Sequence, residues 1–134
     1  MDAFTHDRWT FPLPAANRFP QEKYRLVRER VERTLHATGS TVAAARSALA
    51  DGVAAALGGG THHAHRASGR GYCLVHDVAI ALALMRSEGF IGKCLILDVD
   101  VHQGDGTADL LAGDPSALVV SLHGARNYPF ERVA

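Results

Sequence analysis

Two short apolar runs constrain this chain more than any other feature. Lys93-Cys94-Leu95-Ile96-Leu97-Asp98 is apolar through its middle and closes on an acid, and Leu118-Val119-Val120-Ser121-Leu122 repeats the pattern further on. Runs this short, without alternation, are the pattern of parallel strands covered on both faces. A third run, residues 53–57, leads into Gly58-Gly59-Gly60 and is expected to be a buried strand entering a flexible turn. Helical patterns lie between them. Pro20 suits a helix start, and Tyr24, Val27, Val31 and Leu35 form one apolar stripe on a helix expected to end near Gly39. Ser40 or Thr41 can cap a second, Ala-rich helix that Asp51-Gly52 stops. Asp77 can cap a helix over 78–87 ended by Gly89, and a short helix is expected over 107–112. Residues 1–19 read as an irregular arm. Alternating helices and strands predict an α/β fold, a parallel sheet flanked by helices. In such sheets ligands sit beyond the carboxyl ends of the strands. The polar clusters of this sequence fall there.

Length and charge narrow the function. At 134 residues the chain is expected to form a single domain, with an arm and helix over 1–38 and a core over 39–134. Lys plus Arg equals Asp plus Glu at 14 each, which argues against direct nucleic-acid binding, since a phosphate-binding surface shows as a basic excess. No apolar run is long enough to span a membrane, and the N-terminus lacks the pattern of a secretory signal, so no membrane partner is expected. Cys73 and Cys94 fit no metal or redox spacing, and a reduced, cytoplasmic setting is the expectation.

Six of the eight histidines lie between residues 62 and 123. The sharpest cluster is Asp98-Val99-Asp100-Val101-His102-Gln103-Gly104-Asp105-Gly106. On extended chain, residues two apart share a face, so Asp100 and His102 could bind one cation; a carboxylate with an imidazole suits Zn²⁺ or a similar divalent ion. Asp98 lies on the same face, and Gly104 and Gly106 are expected to let the backbone turn tightly. His62 and His63 follow Gly59-Gly60, whose freedom is what would let adjacent imidazoles face one site. Such a pair can supply a base for an attacking water and an acid for a leaving group, each ring oriented by a carboxylate, with Asp98 and Asp105 the candidates. Gly71 and Tyr72 could line a narrow channel. Ser121 and Leu122 end the second strand, where oxygens could hold a hard cation. His6, His36 and Trp9 have no supporting neighbours and read as packing or surface residues. Cys73 lacks any mark of a thiolate, and Cys94, in mid-strand, reads as core.

Taken together, GGTHHAHR, GYCLVHDVAIA, LILDVDVHQGDGT and VVSLHGARNYPF resemble the zinc-dependent histone deacetylase family, which includes acetylpolyamine amidohydrolases. The segment FPLPAANRFPQEKYRLVRERV is similar to the start of bacterial, class IV-like members. The resemblance implies a partial arginase/deacetylase-type α/β fold and hydrolysis of acetyl-lysine or acetylpolyamine-type amides. By position it implies Asp100 and His102 as zinc ligands, and His62 and His63 as the proton-moving pair. It pairs Asp98 with His62 and Asp105 with His63, and makes Gly71 and Tyr72 the acyl channel. It also implies a K⁺ site from Asp98, Asp100, His102, Ser121 and Leu122. The family's third zinc ligand and its catalytic Tyr would lie beyond Ala134, and a long segment of the family is missing near His36. His76 stands where the family has Asn, and His65 where an aromatic is common. A truncated, internally deleted deacetylase is therefore expected, binding zinc weakly and self-associating through an exposed sheet edge. The alternative is a non-catalytic remnant or metal-binding partner module. An arginase-like ureohydrolase ranks below both, because two bridged metals call for more carboxylates than this sequence shows.

Overall fold

The structure is a computed structural model that describes residues 20, 22–90 and 92–133. The N-terminal arm, with His6 and Trp9, lies outside the described residues. The element order is α1 (Lys23–Asp51), α2 (Asp77–Ser87), β1 (Cys94–Asp98), α3 (Asp105–Leu111) and β2 (Ala117–Ser121). β1 and β2 pair in parallel, with Ile96 opposite Val119 and Asp98 opposite Ser121. The α/β class expected from alternation is the one observed.

Three local expectations give way. The two N-terminal helices are one. Chain with Ala-rich flanks and no proline carries a helix through Gly39 at a cost of only ~1 kcal/mol. Ser40 caps nothing; its hydroxyl donates to Ala37 O at 2.7 Å, while Thr41 Oγ1 reaches out to Asp77 Oδ2 at 2.6 Å. The helix ends as read, at Gly52 with φ +91° and its N–H on Ala48 O. The run 53–57 is not a strand but irregular chain, with Val53 and Leu57 exposed. Three small alanines bring little apolar surface to bury there. The stripe Tyr24, Val27, Val31 and Leu35 is exposed, and Thr38 and Val42 are the buried residues of α1.

The apolar core sits between α1 and α2. Val42, Ala81 and Met85 are buried together, with Ala45, Ile80 and Phe90 against them. Among the described residues the strands are not covered on both faces: Leu95, Leu97 and Leu118 are exposed, while Cys94 and Ile96 are half-buried. Cys94 is thus the partly covered first residue of β1 rather than core. Among the described residues no helix is long and apolar enough to cross a membrane.

Candidate functional site

The site lies where β1 and β2 end. Leu122 N–H donates to Asp98 O at 2.8 Å and Gly124 N–H to Val101 O at 2.9 Å, which holds the two exits side by side. The histidine loop crosses above them. Gly59 and Gly60 take φ of +108° and +71°, as an irregular backbone requires. Asp77 anchors this loop from the start of α2. Its Oδ2 accepts from Gly60 N–H and Thr41 Oγ1, and its Oδ1 from Thr61 N–H and Thr61 Oγ1, all within 2.6–2.9 Å. Burial pushes the Asp77 carboxyl up, but the four bonds outweigh it and hold it below the usual carboxylate range. Asp77 is therefore not the cap of α2. That role belongs to His76, whose Nδ1 accepts from Ala79 N–H at 3.2 Å while Nε2 meets Thr107 Oγ1 at 2.9 Å. Burial lowers the His76 pKa and keeps the ring neutral.

The loop rests on the first turn of α3. Thr107 N–H donates to His62 O at 3.2 Å. A Cβ on Gly106 would come within 2.4 Å of Ala64 O, and one on Gly104 within 2.3 Å of Asp98 Oδ2. Gly104 has φ −73°, and neither residue has positive φ. The chain does turn tightly at Gly104, with Asp105 N–H on Gln103 O at 2.9 Å, but at a φ any residue adopts; what calls for glycine at both positions is the close approach of another segment.

Here the two sequence clusters meet. His62 Nδ1 lies 2.6 Å from Asp98 Oδ2, and His63 Nδ1 lies 2.5 Å from Asp105 Oδ1. An ionised carboxylate only accepts, so each Nδ1 carries a hydrogen, and the tautomer this selects has its acceptor at Nε2. The ring centroids are 4.1 Å apart, and that of His102 is 5.8 Å from His63. His63 and Asp105 are buried. Burial acts to raise the Asp105 pKa, but hydrogen bonds from His63 and His65, with Arg70 nearby, bring it below the usual range.

Asp100 and His102 lie at the mouth. His102 Nδ1 is 3.1 Å from Asp100 Oδ1, and His62 Nε2 is 3.9 Å from the same oxygen. The backbone N–H of His102, at 2.7 Å, is the main cause of a lowered Asp100 pKa. Two donors on one tetrahedral zinc, each about 2.0–2.1 Å from it, lie roughly 3.3 Å apart. The pair has the chemistry and spacing for two corners of that tetrahedron. Among the described residues no group of three or more His, Cys, Asp or Glu side chains converges to complete it. Of the residues assigned to K⁺, Asp98 and Ser121 are register partners, but Asp98 Oδ1 already accepts from Asp100 N–H at 3.0 Å and Ser121 Oγ meets His123 Nδ1 at 3.0 Å.

Gly71 lies against the His63 ring, where a Cβ would come within 2.3 Å of Cδ2. Tyr72 takes φ +65° and is 94% exposed, its carbonyl accepting from the Arg30 guanidinium. Cys73, beside it, is buried, and burial raises its thiol pKa. Sequence reasoning missed Tyr128, whose ring stands edge-on to His63 at 4.9 Å and to His102 at 6.0 Å. It also missed Arg70, 3.3 Å from Asp105 Oδ2 and 5.9 Å from the Tyr128 centroid. A lone aromatic beside Pro129 and an arginine between two glycines carry no periodic signal.

Residues 5–134 match the family described as histone deacetylase domain. Two solved structures, an HDAC homolog complexed with SAHA and an HDAC homolog from Aquifex aeolicus, each superpose with a TM-score of 0.65 at 34% identity, over 72% of this chain and 26% of theirs. An uncharacterized protein of Picosynechococcus sp. is 43% identical over 102 residues, 76% of this chain and 34% of the relative. Human histone deacetylase 9 is 44% identical over 62 residues, 46% of this chain and 6% of that protein. The chain thus spans about a third or less of the length of these relatives. The fold, with its site at the strand ends, is of the arginase/deacetylase type. The chain belongs to the histone deacetylase family.

Proposed function

We propose that this chain carries the proton-moving half of a zinc-dependent deacetylase site, acting on acetyl-lysine or acetylpolyamine-type amides. The observation that supports it best is the pair of adjacent imidazoles, each with Nδ1 on its own carboxylate, beside the Asp100–His102 pair. Asp100 and His102 would hold the zinc, which when bound polarises the acetyl carbonyl. The chain's own part is proton transfer. Asp98 and Asp105 hold His62 and His63 in the tautomer that leaves Nε2 free. One Nε2 takes the proton from the attacking water; the other, once protonated, gives a proton to the departing amine nitrogen. Gly71 packs directly on the His63 ring, and on the resemblance it and the exposed Tyr72 would form part of the wall of an acyl channel. The K⁺ assignment to Asp98, Asp100, His102, Ser121 and Leu122 rests on the resemblance alone. Two free thiols suit a reducing, cytoplasmic compartment.

The test is acetate release from an acetyl-lysine peptide and an acetylpolyamine by the purified chain over a zinc titration. Release that His63→Ala abolishes supports the reading. If zinc binds, Asp100→Ala weakens it, and no acetate appears at any zinc level, the chain is instead a metal-binding partner module. Equal zinc affinity of the native chain and Asp100→Ala removes the metal assignment.

A further inference from the structure

His65 has no part in the chemistry above, yet both its ring nitrogens face carboxylates. Nδ1 lies 2.8 Å from Asp109 Oδ2 and Nε2 lies 3.2 Å from Asp105 Oδ2. A neutral imidazole has one N–H, and an ionised carboxylate can only accept. Both contacts are therefore hydrogen bonds only when the ring is an imidazolium. The charged and titratable surroundings favour that form. Asp105 and Asp109 face the ring from α3. Arg70 and His63 lie beyond Asp105, and Arg66 follows His65 on its own loop. His76 and Arg86 line the cavity beside it, the first buried and neutral, the second held by Asp114. The hydrogen bond to Asp109 is the largest influence and raises the His65 pKa, against a smaller opposing effect of burial.

Asp105 is fully buried and its two oxygens are divided. Oδ1 meets His63 Nδ1, while Oδ2 meets His65 Nε2 and, at 3.3 Å, Arg70 Nη1. A carboxylate turns readily about its Cβ–Cγ bond. Cationic donors on Oδ2 oppose that turn and leave Oδ1 for His63 alone.

We propose that His65 is a positioning residue: clasped as an imidazolium between Asp105 and Asp109, it pins the Asp105 carboxylate so that Oδ1 stays on His63 Nδ1 and fixes that ring's tautomer. Its consequence for catalysis rests on the proposed function; the clasp itself does not. When His65 loses its proton, one ring nitrogen turns a lone pair toward a carboxylate oxygen, and the clasp opens. The site then has a pH dependence set outside the residues that would touch substrate.

Imidazole-resolved NMR of the full chain, metal-free and titrated with pH, tests this through two signals. One is the His65 titration midpoint; the other is the downfield Hδ1 resonance of His63, which reports its bond to Asp105. The midpoint is expected above the ordinary histidine value, and the Hδ1 signal to broaden as pH rises through it. Asp109→Asn, at an exposed position, should lower the His65 midpoint by about one pH unit. His65→Phe should broaden the Hδ1 signal at every pH, and His65→Lys should restore it without the pH step. A His65 midpoint at the ordinary value that Asp109→Asn leaves unmoved overturns the clasp. So does a sharp Hδ1 signal in folded His65→Phe. Neither signal needs zinc or acetate release, so failure of the clasp and failure of the deacetylase reading are distinguishable.

Discussion

Asp77 shows how one residue can be legible in type and misread in role. Its place ahead of an apolar helix marks a cap, but its carboxylate is taken by Thr41, Gly60 and Thr61. It ties the histidine loop to α1, and a partner 36 residues away leaves no local trace. Asp77→Asn keeps the shape but replaces one acceptor oxygen with a donor, so one pair of N–H and O–H groups faces an amide. The expected loss is about 2 kcal/mol, since hydrogen bonds to charged groups contribute roughly 1.5–3. Urea unfolding at neutral pH measures it, and an unchanged midpoint would refute the anchoring role. The side chains around the imidazoles divide the same way. Asp98 and Asp105 stand out in sequence because they flank the Asp100–His102 pair. The parts played by His65, Arg70 and Tyr128 do not, because only folding brings the first two to Asp105 and the third to His63.

At the scale of elements, propensity located the helices and tertiary contacts decided their ends. α1 runs unbroken through Gly39 because nothing there breaks a helix and Thr41 is used elsewhere. α2 begins one residue early, with His76 in the cap position. His76 also makes that cap sensitive to acid. Its folded pKa lies below the ordinary value, so the unfolded chain takes up the proton first. The stability it contributes is complete above about pH 6.5 and is lost as pH falls through the depressed value. Asn also caps well and does not titrate there. His76→Asn is therefore expected to change neutral-pH stability by less than about 1 kcal/mol and to flatten the slope of stability against pH on the acid side. Urea midpoints over an acid pH series report this; parallel slopes for the two proteins would show that His76 does not titrate on unfolding.

For the molecule as a whole, the open sheet matters most. Buried parallel strands read as continuous apolar runs, and β1 and β2 do. Yet Leu95, Leu97, Leu118 and Leu122 are exposed among the described residues. An uncovered apolar sheet face with a free edge favours association. We propose that copies of the chain self-associate there. Sedimentation should show mass rising with concentration, and Leu97→Lys should shift the distribution toward monomer by placing a charge on that face. A Leu97→Lys protein that associates as the native chain does would direct attention to another surface.

What the sequence alone determined is whatever depends on neighbours in the chain: the two strand runs, the helical segments, the α/β class, and the residue types able to carry proton transfer and hold a metal. Those follow from side-chain period, propensity and chemistry, all of them local. Only the tertiary structure decided that residues 53–57 form no strand, that Gly104 and Gly106 exist for another segment's approach, that His65 and Arg70 reach Asp105, and that Tyr128 stands against His63. Each of those depends on atoms far apart in sequence, and spacing along the chain does not encode their distance.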